Sequence, residues 1–310
     1  MRVVRYTESK ASEWNQFINA AKNGLFLFRR SYMDYHKDRY ADHSLMIYKK
    51  EKLVSVFPAN ENSDIIWSHS GLTFGGLIMS FGLKTEECIT IFEQIILYYK
   101  SLGIVEINYK AISHIFPKYP AHEDLYALFR HNAILYRRDV SSAVDISQKI
   151  KFSETKRQAI KKCVKEKVEL LENDNFTDYW ILLSQLLTKF NATPVHTLEE
   201  IHFLKMNFPR QIRLFEARRK GELLAGVVIY DYGNVAHTQY MANSANGRKS
   251  GALDFINFQL INHYFKDHKY YSFGISTENE GKFLNEGLIQ QKEMMGGRAV
   301  TNDFYKIKII

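Results

Sequence analysis

The sequence has few of the residues that build cross-links and flexible linkers. Its 310 residues include only two cysteines and five prolines. Cys88 and Cys163 lack the spacing of a metal or redox motif, which favours a reducing compartment. With no Gly/Ser-rich or low-complexity tract, the chain is predicted to be globular and without a long linker.

Long apolar runs are also missing. The N-terminal segment MRVVRYTESKASEW has no apolar core of a signal peptide. No run approaches the roughly 20 apolar residues that span a bilayer. P-loop, dinucleotide-binding and metalloprotease motifs are absent, and no metal site is expected. These features predict a cytoplasmic protein.

The sequence has fewer acidic than basic residues. Lysine and arginine exceed aspartate and glutamate by eight, and the pI is about 9.2. Such an excess favours anionic partners: phosphorylated cofactors, nucleotide-linked substrates, RNA or an acidic membrane surface. Solubility explains it equally well, so the charge does not choose among them.

The strongest positive signal is an internal duplication. From Ser44 the pattern predicts two strands around a charged turn, a third strand through Trp67, a glycine-containing loop, an amphipathic helix and a strand. From Ile212 the same order is repeated. The sequence therefore predicts a mixed α/β protein with two copies of one domain, residues 1–148 and 149–310, each with a central mixed sheet flanked by helices.

In the second copy, the stretch AHTQYMANSANGRKSGALD enters a helix through small residues and two adjacent cations. A helix N-terminus has unpaired N–H groups and a positive dipole end, so it binds phosphate. We expect a helix beginning near Gly251 to hold a donor's phosphates, and a plain helix entry is the alternative. The predicted donor-binding residues are Asn243, Arg248, Lys249, Ser250, Gly251 and Ala252.

This stretch resembles the acyl-CoA-binding motif of GCN5-related N-acetyltransferases (GNATs): Gln or Arg, two residues, Gly, one residue, then Gly or Ala. Arg248 and Gly251 match, whereas Leu253 departs from the motif. The whole chain resembles the FemAB-like branch, in which two GNAT-like domains are joined. The similarity is carried by FSETKRQAIKKCVKEKVEL, HTQYMANSANGRKSGALDFINFQLI, FGISTENEGKFLNEGLIQQKEMMGG and, in the first copy, SHSGLTFGGLI.

The resemblance implies acyl transfer by direct attack. The second copy is expected to bind a small acyl donor, acyl-CoA (acetyl-CoA) as co-substrate. The first copy lacks cations in its loop and is expected to form the acceptor side, without donor binding. The acceptor is expected to be an amine of a cell-envelope or surface-polysaccharide precursor, an amino sugar on a nucleotide or lipid carrier, with possible peripheral contact to the inner membrane.

Two alternatives remain open. FemAB-type members use aminoacyl-tRNA on peptidoglycan precursors, often with a long helical hairpin that this sequence does not predict. The protein could also be a non-catalytic binding module. The oligomeric state is left open.

Candidate catalytic residues lie at the ends of strands of the second copy. Glu278, after the strand YYSFGIS, would accept the proton of an attacking ammonium, while Ser276 and Thr277 orient the acceptor. The alternative is that these residues cap the following helix. Tyr240 would protonate the departing thiolate, or would simply pack in its strand.

In the first copy, His69 has a suitable intrinsic pKa for proton transfer. The surrounding loop would contact the acceptor, or its glycines would only form turns. Its predicted substrate-binding residues are Gly71, Phe74, Gly75 and Gly76. In the basic helix between the copies, Arg157 and Lys161 would contact a nucleotide diphosphate, a polyprenyl phosphate or tRNA, unless they lie on a solvated face.

Overall fold

A computed structural model describes residues 1–309. By its contacts the chain divides into two compact units. Unit 1 contains Met1–Asp139, Asn279–Lys282 and the segment from Thr301, and unit 2 contains Val140–Glu278 and Phe283–Val300. The segment from Thr301, which we expected in the second domain, belongs to unit 1 because its strand pairs with a strand of that unit.

Unit 1 combines short strands with four helices. Its strands are β1 (Arg2–Arg5), β2 (Ala41–Asp42), β3 (Leu45–Lys49), β4 (Lys52–Phe57), β5 (Asn60–Asn62), β6 (Ile65–Trp67), β7 (Ile78–Met79) and β8 (Glu106–Lys110). Its helices are α1 (Ala11–Ala20), α2 (Arg30–Met33), α3 (Thr85–Lys100) and α4 (Glu123–Arg130). Strand β9 (Ile134–Asp145) carries residues of both units.

Unit 2 has the longer strands. Its helices are α5 (Glu154–Lys165), α6 (Thr177–Thr188), α7 (Leu198–Asn207), α8 (Ala245–Ser250), α9 (Ala252–Gln259) and α10 (Glu286–Glu293). Its strands are β10 (Glu169–Asn173), β11 (Ile212–Arg219), β12 (Glu222–Asp231), β13 (Val235–Asn243), β14 (Tyr270–Ile275), β15 (Thr277–Glu278) and β16 (Phe283–Leu284). Strand β17 (Arg298–Lys308) again carries residues of both units.

Each unit contains both parallel and antiparallel strand pairs. In unit 1, β1, β3, β4 and β7 form an antiparallel sheet, and β17, β8, β6, β5 and β2 lie in that order in a mixed sheet. In unit 2 the order is β10, β11, β12, β13, β14 and β9. Only the pairs β6–β8 and β13–β14 are parallel among the pairings described in residues 1–309. The predicted mixed α/β class is confirmed.

Local sequence explains the meanders. Lys220 and Gly221 form a two-residue turn between β11 and β12, and both have positive φ (51° and 83°), as hairpin turns require. In unit 1, Lys50 has φ 55° at the corresponding turn between β3 and β4. The predicted charged turns are therefore hairpin turns in both units.

The crossover helices bury one face. In α3 the buried residues recur at helical spacing: Cys88, Ile91, Phe92, Ile95 and Tyr99. They pack into the core of unit 1, whereas α9 packs into the core of unit 2. Among residues 1–309, no helix combines the length and the apolar character that crossing a membrane requires.

Candidate functional site

Strand β13 of unit 2 has a strand partner on both sides over only part of its length. On one side it pairs with β12 along its length, with an irregularity that leaves Gln239 between the paired residues Thr238 and Tyr240. On the other side it pairs with β14 only through Val235–His237. No strand pairing with β14 is described from Thr238 to Asn243, so the backbone groups on that edge have no strand partner there.

Strand β14 leaves β13 at a defined point. Its pairing with β9 shifts between Ser272 and Gly274, and Gly274 has φ 73°. A Cβ on Gly274 would make only ordinary contact with Cε1 of His237 (3.5 Å), so the left-handed backbone, and not a lack of space, favours glycine there. The bulge and the left-handed glycine thus come directly after Ser272, the last residue of β14 that pairs with β13.

A buried lysine fixes the end of β14. Lys292 of α10 is 2% exposed, and its Nζ donates to the carbonyl oxygens of Gly274 (2.9 Å) and Ile275 (2.6 Å) and to Oγ of Ser276 (2.8 Å). Burial lowers the pKa of Lys292 to about 8. Sequence reasoning missed Lys292, because one lysine in the segment LIQQKEMM gives no local sign of burial.

Tyr240 lies in the open stretch of β13 and is held by two neighbours. Its hydroxyl lies 2.6 Å from Nδ1 of His196, which comes from the loop between α6 and α7. Trp180 packs edge-on against the Tyr240 ring at 5.3 Å and donates from Nε1 to the His196 carbonyl (3.3 Å). Burial raises the pKa of Tyr240 to about 12, so its phenol is protonated at neutral pH. His196 was also missed, since its partner is distant in sequence.

Two further polar side chains lie where β13 and β14 separate. Nδ1 of His237 is 3.1 Å from Oγ of Ser272, and burial, with a smaller contribution from the charge of Lys292, lowers the pKa of His237 to about 4. Oγ1 of Thr238 is buried, and no hydrogen-bond partner for it is found within residues 1–309. His237 is therefore neutral at pH 7, next to an unsatisfied hydroxyl.

A short helix, α8, precedes the helix expected near Gly251. Ser244 is the N-cap of α8 and accepts from the backbone N–H of Gly247 (2.9 Å). Gly251 has φ 80° and joins α8 to α9. It is the left-handed N-cap of α9, so the expected helix start near Gly251 is confirmed, although a second short helix, α8, lies directly before it.

The predicted phosphate seat at this link is covered by α5. A Cβ on Gly251 would lie 2.6 Å from Cβ of Ala159, and Sγ of Cys163 donates to the carbonyl of Ser250 (3.0 Å). Ser250, Gly251 and Ala252 are all buried. Because α5 occupies this space, we correct the expectation that these three residues hold phosphate.

The two cations of the motif stay accessible. Arg248 and Lys249 are exposed on α8, one turn beyond the end of β13. Nη1 of Arg248 donates to the carbonyl of Asn243 (2.9 Å), and Oδ1 of Asn243 is buried with no hydrogen-bond partner within the described chain. Asn243, Arg248 and Lys249 therefore lie together at the end of the open strand that carries Tyr240.

The residues predicted after β14 have different surroundings. Ser276 is buried and donates from its backbone N–H to the carbonyl of Val140 (2.7 Å), and Oγ1 of Thr277 accepts from the Val140 N–H (3.3 Å). Both connect the end of β14 to β9. Glu278 is exposed and accepts from Nδ2 of Asn285 (2.8 Å).

The helix after these residues begins later than expected. Asn285 is the N-cap of α10, and its Oδ1 accepts from the N–H of Leu288 (3.0 Å). The alternative that Ser276 and Thr277 cap this helix is therefore wrong.

In unit 1, the loop after β6 is packed against protein. A Cβ on Gly71 would lie 2.2 Å from Nε2 of His36, one on Gly75 1.8 Å from the carbonyl oxygen of Ser68, and one on Gly76 2.7 Å from the hydroxyl of Tyr109. The close backbone approach expected for a ligand is an approach to unit 1 itself, and we correct that expectation.

His69 and Phe74 are part of the same packing. His69 is 3% exposed and has φ 69°. Burial, with His36 and Lys110 as the next contributions, lowers the pKa of His69 well below its ordinary value. The rings of Phe74 and Phe116 pack against each other at a tilt of 49°, with centroids 4.3 Å apart. His69 is neutral at pH 7 and enclosed.

The two residues predicted on the basic helix α5, Arg157 and Lys161, are both exposed. Arg157 forms an ion pair with Glu154 and lines a cavity of about 290 Å³ in unit 2, whereas Lys161 is not part of the cavity wall. Within residues 1–309, no group of three or more His, Cys, Asp or Glu side chains is placed to hold a metal ion.

Part of the chain matches a known protein family. Residues 151–281 match the family model described as "Acetyltransferase (GNAT) domain". The chain carries a GNAT domain. The matched range includes β13, α8, α9 and β14, and with them the unpaired edge of β13. No curated protein matches the chain by sequence.

Solved structures show the same fold over the whole chain. FemX superposes with a TM-score of 0.69 at 9% identity, covering 98% of this chain and 97% of that chain. The C-terminal domain of a protein described as a lysylphosphatidylglycerol synthetase from Agrobacterium fabrum gives 0.63 at 12% identity, covering 98% and 93%. A tandem GNAT protein from the clavulanic acid biosynthesis pathway gives 0.55 at 9%, covering 100% and 98%.

The predicted FemAB-like, tandem GNAT fold is thereby confirmed. The protein is an enzyme of the N-acyltransferase class. The donor and the acceptor are separate questions, because identities of this size establish the fold alone.

Proposed function

We propose that the protein transfers an acyl group, in the simplest case acetyl, from a CoA thioester to an amine of a cell-envelope or surface-polysaccharide precursor. The observation that carries the proposal is the open edge of β13 inside the GNAT domain. An extended pantetheine chain has amide groups that pair with such an edge much as an added strand does.

The donor's phosphates belong at the end of that edge. Arg248 and Lys249 are exposed there, and the amide oxygen of Asn243 lacks a partner in the described chain. Two cations next to the last strand residue attract a diphosphate and hold it by charge-assisted hydrogen bonds. This position replaces the covered link at Gly251.

The reaction is a direct displacement. The amine nitrogen attacks the thioester carbonyl carbon, a free N–H on the edge of β13 stabilises the oxyanion, and the C–S bond breaks. The thiolate takes a proton from Tyr240, which is protonated at neutral pH. The attacking nitrogen loses its proton to a base, for which Glu278 at the end of β14 is the proposed residue.

The proposed acceptor is an amino sugar on a nucleotide or lipid carrier. A lipid carrier requires peripheral contact with the inner membrane from the cytoplasmic side. The net charge of +8 supports an anionic acceptor of either kind.

Aminoacyl-tRNA is the alternative donor. The whole-chain fold likeness to FemX favours it, since FemAB-type enzymes take their donor from tRNA. Against it, α6 and α7 have only 12 and 10 residues, and no long helical hairpin lies within residues 1–309. RNA binding that weakens steeply with salt is the property that separates this alternative.

Calorimetric titration with acetyl-CoA tests the proposal. We expect the double substitution Arg248→Ala and Lys249→Ala to weaken binding about tenfold or more, because two charge-assisted contacts are lost. Lys266→Ala removes an exposed cation elsewhere in unit 2 and is the matched control. Unchanged affinity in the double variant, or binding of charged tRNA without acetyl-CoA binding, would overturn the CoA assignment. If neither donor binds and no acyl transfer is detected, the non-catalytic alternative stands.

A further inference from the structure

A second site lies at the other end of α9. The cavity of about 290 Å³ that Arg157 lines is bounded by the segment from Val144 to Phe152, by the first turns of α5 and by the helical segment that continues α9. From Ala252 to Phe258 the helix rises roughly 9 Å, at about 1.5 Å per residue. The cavity is thus separate from the open edge of β13 and from Arg248.

The walls of the cavity are of two kinds. Its floor is apolar and its rim is cationic, with no carboxylate among the lining residues. The apolar lining residues are Val144, Ile150, Phe152, Phe258 and Ile261, and the cationic ones are Lys149, Lys151 and Arg157. Asn262 supplies an amide. An apolar floor with convergent cations is complementary to an amphiphilic anion.

The cavity is held open by fixed contacts. Phe152 and Phe258 meet edge to face at 5.7 Å, and Nζ of Lys149 donates to Oδ1 of Asn262 (3.1 Å). Gly296 packs under the loop, where a Cβ would lie 2.6 Å from the carbonyl oxygen of Ile150. These contacts come from three separate chain segments, so the cavity is preformed.

The helix is irregular at this point. Leu260–Tyr264 forms a π-helical turn, in which the N–H of Phe265 donates to the carbonyl of Leu260 (2.9 Å). Such turns are rare and occur often at functional sites. Here the turn contains Ile261 and Asn262, which are one apolar and one polar part of the cavity wall.

The cations differ in what already neutralises them. Arg157 is paired with Glu154 on its own helix, and Lys149 is hydrogen-bonded to a neutral amide. Lys151 is exposed and no ion pair is described for it in residues 1–309. The rim therefore carries net positive charge that a ligand's anionic group would compensate.

We propose that this cavity binds an amphiphilic organic anion, with its phosphate or carboxylate between Lys151 and Arg157 and its apolar tail against Phe152, Phe258 and Ile261. The ligand is either a free amphiphile or a lipid of an anionic membrane, since both present the same chemistry. The site lies apart from the proposed donor-binding residues Arg248 and Lys249, and the proposal does not rest on them.

Octyl phosphate is the probe, used below its micelle concentration in isothermal calorimetry with the full chain. We expect it to bind more tightly than octyl glucoside, which has the same tail without charge, and than inorganic phosphate, which has no tail. The double substitution Lys151→Glu and Arg157→Glu should weaken binding roughly tenfold or more, because it replaces two attractive charges by two repulsive ones. Lys165→Glu, on the same helix but away from the cavity, is the matched control.

A second variant tests the tail without touching the charge. Ile150 is 44% exposed at the rim, so Ile150→Trp should obstruct the cavity and reduce octyl phosphate binding, whereas Val164→Trp, 60% exposed on α5, should not. Thermal melts verify that the variants fold. Octyl phosphate binding no tighter than the two comparison ligands, or equal binding by the charge-reversal variant, would overturn the proposal.

Vesicle sedimentation distinguishes the two sources. If the wild type sediments with phosphatidylglycerol vesicles but not with phosphatidylcholine vesicles, and the charge-reversal variant loses this, the ligand is a membrane lipid. Octyl phosphate binding without vesicle binding identifies a free amphiphile. Acetyl-CoA affinity, measured on the same variants, should stay unchanged, which separates this site from the proposed function.

Discussion

Each unit contains a parallel strand pair, but the chain that follows the pair differs between the two units. In unit 1, β6 and β8 pair through three residues each, and in unit 2, β13 and β14 do the same. After the third pair, unit 1 closes the gap: the N–H of Ser68 donates to the carbonyl of Asn108, and Oγ of Ser68 accepts from the N–H of Lys110. In unit 2, β13 continues to Asn243 paired with β12 but not with β14.

Each unit has a buried lysine whose Nζ binds backbone carbonyls near its parallel strand pair. Nζ of Lys110 donates to the carbonyls of His69 (3.1 Å), Ser70 (3.1 Å) and Leu72 (2.8 Å), which belong to the loop that fills the gap. Lys292 instead donates to the carbonyls of Gly274 and Ile275, where β14 no longer pairs with β13. Burial lowers the pKa of each lysine to about 8. The comparison teaches that one topology gives a closed unit or an open one, depending on the residues that come after the third strand pair.

The largest effect is expected from the lysines themselves. Lys292→Met leaves three oxygens without their donor, which should cost about 2 to 4 kcal/mol of unfolding free energy. It should also lower kcat/KM about 100-fold, because the end of β14 moves relative to the open strand. Lys110→Met should cost similar stability yet leave kcat/KM per folded molecule unchanged. Urea unfolding and steady-state kinetics on both variants measure this, and equal kinetic losses would contradict the distinction.

Tyr240 provides the next test. Tyr240→Phe should reduce kcat about 100-fold with little change in the KM for acetyl-CoA, because the departing thiolate loses its proton donor. Tyr109→Phe is the matched change in unit 1, where the hydroxyl of Tyr109 donates to Asp124 (2.6 Å), and it should affect stability alone. A Tyr240→Phe variant with normal kcat would remove Tyr240 from the mechanism.

Acid stability should report the buried histidine of unit 2. The pKa of His237 is about 4 in the folded protein, below its unfolded value near 6.5, so the unfolded chain binds more protons between these values. The free energy of unfolding should therefore rise with pH, by about 2 to 3 kcal/mol from pH 4 to 6.5 for this group. His237→Gln should flatten that part of the profile in urea titrations. An unchanged slope would mean that other groups control acid unfolding.

The smallest effect is expected at Gly251, and it distinguishes the structural role of this glycine from the donor-binding role proposed for Arg248 and Lys249. Gly251→Ala should destabilise the protein by about 1 to 3 kcal/mol, because it combines a left-handed backbone with a clash against Ala159. The acetyl-CoA affinity of the folded variant should equal that of the wild type, in contrast to the Arg248/Lys249 double variant. If the Gly251→Ala protein folds and binds CoA more weakly, the original expectation that Gly251 holds the donor's phosphates would be supported.

Some of the site could be read from sequence because it depends on neighbours along the chain. The element order that brings Arg248 and Asn243 to the end of a meander strand was predictable from strand alternation and turn residues. The phosphate-binding role expected at Gly251 was wrong. Ala159 and Cys163 of α5 pack onto the link between α8 and α9, and no local pattern in the segment NGRKSGALD indicates this packing.

By itself, the sequence determined the duplication, the mixed α/β class, the hairpin turns and the GNAT resemblance, since each rests on local periodicity and on residues close together in the chain. Only the tertiary structure decided that Lys292 and His196 belong to the site, that the segment from Thr301 pairs in unit 1, and that one parallel strand pair is closed and the other open. The physical reason is that burial and strand pairing depend on partners far away in sequence, and no local pattern records them.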